Sequence, residues 1–95
     1  ELYQLDMRLQ QELLQQINLL SAFLQHQFSP DKLNVAAIGN VVKQMHIHVV
    51  ARSQDDLAWP GVVWGQPATS VYSPEQLLQL KQAAKQALSA AFEFA

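Results

Sequence analysis

The chain has 95 residues, a formal net charge of −2 and no cysteine, and 49% of its residues are apolar while 15% are charged. This length supports one small domain that buries roughly 60–70% of its unfolded surface, and the composition is that of a folded globular protein. The lack of cysteine excludes a disulfide framework or thiolate metal site within this sequence, and six dispersed basic residues argue against binding of duplex nucleic acid.

The first predicted element is an amphipathic helix over about residues 1–28. Its apolar residues recur at three- and four-residue steps, whereas its other face is rich in glutamine. The apolar stripe consists of Leu2, Leu5, Leu9, Leu13, Ile17, Leu20 and Leu24. The stripe suits packing on a sheet or, alternatively, a short coiled-coil seam, and His26 near the end is predicted to lie at the surface. Because Glu1 already lies in this pattern with no N-cap ahead of it, we expect residues to be missing upstream.

A hairpin is predicted after this helix. Ser29-Pro30 ends the helix, because proline lacks a backbone donor and disfavours helical dihedrals in the residue before it. Residues 33–38 are short and apolar and predict a buried strand. The Gly39-Asn40 turn dipeptide then predicts a connection over residues 39–43 to a second strand over about residues 44–52.

Residues 57–65 carry both tryptophans of the chain, beside prolines and glycines that oppose regular structure. Trp59 and Trp64 therefore either cap the core or, alternatively, supply an aromatic wall or lid for a nucleotide base or a dimer partner. Further on, Ser73 and Gln76 match a capping box with Pro74 at the first helical position. They predict a C-terminal helix that runs to about residue 92.

The second predicted strand carries two histidines on one face. Successive strand side chains alternate between faces, so Gln44, His46 and His48 point one way while Met45 and Ile47 point the other. Two imidazoles ~7 Å apart by strand rise suit part of a metal site, a hydrogen-bonded pair in a partly buried face, or a nucleophile and general acid–base pair. No further ligand stands at a recognisable spacing, so we expect no bound metal.

This strand also resembles the signature of the histidine-triad (HIT) family of nucleotide hydrolases and transferases, His-φ-His-φ-His-φ-φ with φ apolar. The resemblance covers residues 33–65, including Asn34 in an apolar strand, the turn at Asn40, the two histidines and the Trp-Pro-Gly that begins at Trp59. The first histidine of the signature is replaced by Gln44. The block looks most like bacterial HIT proteins close to dinucleoside-polyphosphate hydrolases.

The resemblance implies roles for five residues. His46 matches the middle histidine, which attacks an α-phosphorus to give a nucleotidyl-imidazole intermediate, and His48 matches the third, which hydrogen-bonds the phosphate or the scissile oxygen. Asn40 falls at a family position that donates to the α-phosphate, and Asn34 lies near a family asparagine on the substrate side. Gln44 can hold an imidazole tautomer but cannot titrate, so activity is expected to survive in reduced or altered form.

The resemblance also implies the fold and the biochemical class. The expected fold is α+β, with an antiparallel sheet packed by a long helix, a C-terminal helix and missing N-terminal strands, all in a single domain over residues 1–95. The expected function is nucleotide phosphohydrolysis or nucleotidyl transfer at an α-phosphate; the alternative is a non-catalytic nucleotide-binding or interaction protein of the same fold. The retained His46 favours the enzyme.

Cofactors, partners and location are further expectations. We expect no cofactor beyond Mg²⁺ that accompanies the substrate. A bare strand edge and a long apolar helix stripe both need a partner surface, which either upstream strands of a longer domain or a second copy of the chain would supply. The family resemblance implies a homodimer. No secretion signal and no long apolar run occurs in the sequence, so we expect no membrane partner and a cytoplasmic location.

Overall fold

The computed structural model describes residues 1–67 and 71–93, which form two compact units, Glu1–Ser53 and Gln54–Ala95. The first unit contains a long helix and two antiparallel strands, and the second contains a loop segment and a second helix. The predicted α+β class is therefore confirmed. The single-domain organisation over all 95 residues stays a prediction, and each unit is described by itself.

Helix α1, Met7–Phe28, confirms the predicted amphipathic helix but begins later than the sequence indicated. A separate 3₁₀ turn, Leu2–Gln4, precedes it, and the Asp6 carboxylate accepts a hydrogen bond from the Leu9 backbone N–H at 2.9 Å. The prediction of an uncapped helix already running at Glu1 is therefore wrong, because Asp6 satisfies a backbone donor that the first helical turn leaves open. With 22 residues, α1 is about 33 Å long.

The end of α1 agrees with the sequence. Ser29 adopts the left-handed conformation, with a φ of 44°, and its N–H donates to the Gln25 carbonyl at 3.0 Å. Pro30 follows at once, so the helix cannot continue. His26 lies exposed in the last turn of α1, as predicted.

Strands β1, Lys32–Ala36, and β2, His48–Arg52, pair antiparallel, with Val35 opposite Val49. The predicted pairing is confirmed, but both strands are shorter than predicted and the connection covers residues 37–47. Part of this connection is a tight turn, in which a Cβ added to Gly39 would lie 3.2 Å from the Val42 carbonyl oxygen. This connection takes up residues that the sequence assigned to the facing ends of the two strands.

Helix α1 packs against β2, and residues 45–47 before β2 line cavities together with it. Ile47 lies with Leu13 and Ile17 around an open apolar cavity of about 280 Å³. The predicted apolar face of α1 is the face that packs inward, because Leu13, Ile17 and Leu20 at its centre are half-buried. Burial is nevertheless shallow: Leu88, 6% exposed, is the single buried apolar side chain in the described part of the chain.

The second unit contains helix α2, Pro74–Leu88, which begins as predicted. The Ser73 hydroxyl accepts from the Gln76 N–H at 3.1 Å, and the Ser73 N–H donates to Gln76 Oε1 at 2.9 Å, which completes the capping box. The helix ends four residues before the predicted position, because the Leu88 carbonyl is shared by the N–H groups of residues 91 and 92 in a closing turn.

The tryptophan segment is irregular, as predicted. Asp56 Oδ1 accepts hydrogen bonds from the backbone N–H groups of Ala58 at 3.1 Å and Trp59 at 2.8 Å, which fixes the chain in a turn at the first tryptophan. Trp59 and Trp64 are both half-buried. Their role as core cap or as aromatic wall stays a prediction.

Neither α1 nor α2 combines the length and the hydropathy that crossing a membrane requires. The cytoplasmic location expected from the sequence stays a prediction.

Candidate functional site

The structure brings the two histidines of the signature segment into direct contact. His46 lies two residues before β2 and His48 is its first residue. The ring centroids are 5.1 Å apart and the ring planes meet at 83°, an edge-to-face arrangement. Both side chains are half-buried, so a small ligand can still reach them. Two imidazoles thus share one partly sheltered position.

One nitrogen of His46 is held by the backbone two residues earlier. His46 Nδ1 lies 2.7 Å from the backbone carbonyl oxygen of Gln44. Because a carbonyl oxygen only accepts, Nδ1 must carry the proton, and the neutral ring then has its lone pair on Nε2. The contact therefore selects the tautomer in which Nε2 is the nucleophilic atom.

This hydrogen bond changes the interpretation of Gln44. The sequence assigned the orienting role to its side chain, but the bond that orients His46 is made by its main-chain carbonyl. The Gln44 side chain is exposed. Any residue at this position that keeps the same backbone path can supply the same acceptor.

Asn34 lies on the same face of the sheet as His48. It is opposite Val50, and the side chains of directly opposed residues in an antiparallel pair point to one face. Its Oδ1 accepts a hydrogen bond of 2.7 Å from Arg52 Nη1, and Arg52 is only 2% exposed. Asn34, which was predicted to bind substrate, is therefore hydrogen-bonded to Arg52, a residue to which the sequence analysis assigned no role.

Arg52 could have been found by strand alternation. Two-residue periodicity places His46, His48, Val50 and Arg52 on one face of an extended segment. A charged residue on the face that carries two histidines was the available signal. The contact with Asn34 was not available in the same way, because it depends on the pairing register.

Asn40 lies outside the two strands. It lies in the connection between β1 and β2 with an exposed side chain, whereas both histidines are half-buried. Its predicted contact with phosphate stays a prediction.

A cavity of about 450 Å³ opens beside His46. Met45, His46 and Ile47 form one wall, and residues of the 3₁₀–α1 region form the other, namely Leu5, Leu9, Glu12, Leu13 and Gln16. This volume lies within the ~300–1,000 Å³ typical of small-molecule sites, and a mostly apolar wall with a few polar groups is their usual lining.

The described residues around the histidine pair do not include a full set of metal ligands. Over residues 1–67 and 71–93, no group of three or more histidine, aspartate or glutamate side chains is gathered closely enough to hold an ion. Metal independence of the chemistry stays a prediction. What the arrangement can do is nucleophilic attack by His46 Nε2, with a second imidazole and an asparagine amide on the same face.

Comparison with known proteins agrees with this geometry. The family model described as HIT domain matches residues 1–55, which include α1, both strands and the histidine pair. No curated protein sequence matches the chain significantly.

Solved structures of several bacterial proteins are similar to the chain. A histidine triad protein from Marinobacter aquaeolei VT8 is 40% identical with a TM-score of 0.87, over 97% of this chain and 67% of that one. A histidine triad (HIT) protein from Sinorhizobium meliloti 1021 is 33% identical with a TM-score of 0.84, over 93% of this chain and 65% of that one. A histidine triad protein from Bradyrhizobium japonicum is 34% identical with a TM-score of 0.86, over 92% and 65% respectively. The chain thus spans 65–67% of the length of these relatives.

Proposed function

The chain belongs to the histidine-triad (HIT) family, and from that membership we propose that it acts in nucleotide hydrolysis or nucleotidyl transfer at an α-phosphate, with His46 as the nucleophile. The observation that carries this proposal is the hydrogen bond between His46 Nδ1 and the Gln44 carbonyl at 2.7 Å, which leaves the lone pair on Nε2. The His48 ring, with its centroid 5.1 Å from that of His46, adds a second imidazole beside this lone pair.

The reaction consists of two displacements. In the first, the Nε2 lone pair of His46 attacks the α-phosphorus, a P–N bond forms and the P–O bond to the leaving group breaks. The ring then carries a positive charge, and its Nδ1–H makes a charge-assisted hydrogen bond to the Gln44 carbonyl. In the second, water or another acceptor attacks phosphorus, the P–N bond breaks and Nε2 regains its lone pair. One difficult displacement becomes two easier ones.

His48 is proposed to hydrogen-bond the phosphate or the scissile oxygen. Its ring lies edge-to-face on His46 at 5.1 Å, so a phosphorus in reach of one ring has its oxygens near the other. A preorganised donor at this position stabilises the charge that develops on oxygen in the transition state.

The substrate side of the proposal rests on the family resemblance. Asn34 and Asn40 are proposed to donate to phosphate oxygens, and Gln44 to stand where the family's first histidine does. The substrate class is a phosphoanhydride or phosphoramidate, such as a dinucleoside polyphosphate or an adenosine phosphoramidate. The cavity beside His46 suits an apolar part of such a ligand.

Trapping of the covalent intermediate tests the proposal. A nucleotide labelled at the α-phosphorus is mixed with the protein, the reaction is quenched by denaturation, and the protein-bound label is measured after acid and after alkali. We expect label that alkali preserves and acid releases, as a phosphoramidate behaves, and we expect none in the His46→Ala variant. If neither protein traps label although both bind the nucleotide equally, the alternative of a non-catalytic nucleotide-binding protein is correct.

Replacing the Gln44 side chain is expected to have little effect. Gln44→Ala keeps the backbone carbonyl that accepts from His46 Nδ1, so kcat/KM should stay within about threefold of the wild-type value, a change below ~1 kcal/mol. Gln44→His restores the full signature and serves as the matched comparison. A loss above tenfold in Gln44→Ala alone would assign the orienting role to the side-chain amide instead.

Activity is expected not to depend on a tightly held transition metal, because His46 and His48 lack further ligands in the described residues. Dialysis against a chelator should leave turnover unchanged once Mg²⁺ is returned for the polyphosphate substrate. Elemental analysis that finds one zinc per chain, together with lost activity on its removal, would contradict this expectation.

The protein is proposed to form a homodimer through α1 and a neighbouring strand. Leu14 and Leu19 are 57% and 46% exposed, and such apolar surface on a helix favours association. Sedimentation equilibrium should give twice the chain mass. Leu19→Glu should shift the equilibrium toward the monomer, whereas the control Gln15→Glu on the same helix should not. A cooperatively melting wild-type monomer at all concentrations would contradict the dimer.

A further inference from the structure

Arg52 is the most deeply buried charged side chain in the described part of the chain. It is the last residue of β2 and is 2% exposed. Burial of a guanidinium is costly unless its donors meet good acceptors, so a buried arginine is usually held for the contacts that it makes. The contact of interest is the 2.7 Å hydrogen bond from its Nη1 to Asn34 Oδ1.

The pairing register places Asn34 between Arg52 and the histidine pair. Asn34 is directly opposite Val50, and the two neighbours of Val50 on the same face are His48 and Arg52. Both are therefore diagonal neighbours of Asn34, at ~7–8 Å between backbones. The amide of Asn34 contacts Arg52 on one side, and the strand register places His48 at the neighbouring position on the other side.

The donor-only character of the guanidinium decides which end of the Asn34 amide turns away from Arg52. An isolated asparagine can flip its amide and present either the oxygen or the NH₂ group. Arginine has five N–H donors and no acceptor, so Oδ1 must point to Arg52 and Nδ2 must point away. Phosphate oxygens only accept, so an amide fixed in this way is ready to donate to them.

We propose that Arg52 is a positioning residue, which fixes the Asn34 amide so that its NH₂ group faces the phosphate bound at His46 and His48. This inference rests on the proposed function, since it takes a nucleotide phosphate as the ligand. Arg52 itself touches Asn34 and acts on the ligand through it.

A double-mutant cycle on AMP affinity tests the inference. Asn34→Ala removes the donor, and Arg52→Met removes the group that orients it, so each should weaken AMP binding ~10-fold in calorimetry. Because both changes disable the same hydrogen bond, the double variant should bind no more weakly than either single variant. Losses that multiply in the double variant, or an Arg52→Met variant with wild-type affinity, would overturn the proposal.

Two conservative variants keep the test decisive if Arg52→Met does not fold. Asn34→Asp still accepts from Arg52 but has no NH₂ group, so it should lose AMP affinity at least as much as Asn34→Ala while melting like the wild type. Arg52→Lys keeps a donor to Asn34 Oδ1 and should recover part of the affinity. Wild-type affinity in Asn34→Asp would overturn the proposal.

The result is separable from the test of the enzyme. If the wild type traps a covalent intermediate but the AMP cycle is additive, the Arg52 inference fails and the proposed function stands. If no intermediate forms but the cycle shows coupling on bound AMP, the proposed chemistry fails and the positioning role of Arg52 stands.

Discussion

Replacing His46 with alanine is expected to lower kcat by at least ~10⁴-fold, about 5 kcal/mol of activation free energy. The substitution removes the Nε2 lone pair that attacks phosphorus, and the proposed role of His48 is to donate a hydrogen bond rather than to attack. Binding of the nucleotide should change much less, because phosphate donors such as His48 remain. The measurement is steady-state hydrolysis of a dinucleoside polyphosphate, with nucleotide affinity measured separately.

The matched control is His26→Ala. His26 lies exposed in the last turn of α1, and its removal changes histidine content without touching the ring pair. We expect its kcat within about twofold of the wild-type value, since surface substitutions away from the site have small effects. Equal losses in the two variants would show a general effect on folding rather than the loss of a nucleophile.

Chemical rescue separates a nucleophile from a packing residue. A His46→Gly variant leaves space beside Met45 and Ile47, where the cavity of about 450 Å³ already opens. Added imidazole can enter this space and attack phosphorus in place of the missing ring, so activity should rise with imidazole concentration. A residue needed only for packing would give no rescue by a free nucleophile.

The parts of the fold that the sequence predicted are those with local causes. The end of α1 follows from Ser29 and Pro30, and the start of α2 from the reciprocal bonds of Ser73 and Gln76. Each signal acts within four residues, so no distant contact can override it easily. Two-residue alternation also predicted that His46 and His48 lie together, and their rings are in contact although only His48 belongs to a strand.

The start of α1 was mispredicted because two kinds of helix share a spacing. Leu2 and Leu5 are three residues apart, a step that fits both a 3₁₀ turn and an α-helix. The apolar spacing alone therefore extended the predicted helix to Glu1, although the observed α1 begins after its N-cap at Asp6. Asp6, a residue type that often caps helices, stands between Leu5 and Leu9 of the apolar pattern. It was the sequence signal for the boundary between the 3₁₀ turn and α1.

The site detail that sequence could not supply depends on register and on backbone direction. Asn34 and Arg52 are 18 residues apart, and a one-residue slip of the ladder would put them on opposite faces. The acceptor for His46 Nδ1 is the backbone carbonyl of Gln44, which every residue type carries. The identity of the side chain at position 44 therefore does not predict this hydrogen bond.

Replacing His48 with alanine is expected to lower kcat ~10²- to 10³-fold, the usual cost of one preorganised donor to a developing negative charge. The loss should be smaller than that of His46→Ala, because the nucleophile and its hydrogen bond to the Gln44 carbonyl remain. The covalent intermediate should still form, but more slowly.

The leaving group determines how large the His48 effect is. If His48 donates to the scissile oxygen, its removal should matter most for a poor leaving group and least for one that departs readily as an anion. The test compares a dinucleoside polyphosphate with a p-nitrophenyl ester of AMP, in wild type and His48→Ala. We expect the ~10²-fold loss to fall below ~10-fold on the ester, because a nitrophenolate needs little stabilisation by a donor. Equal losses on both substrates would place the His48 hydrogen bond on a non-bridging oxygen, and unchanged kcat on both would contradict any contact between His48 and the reacting phosphate.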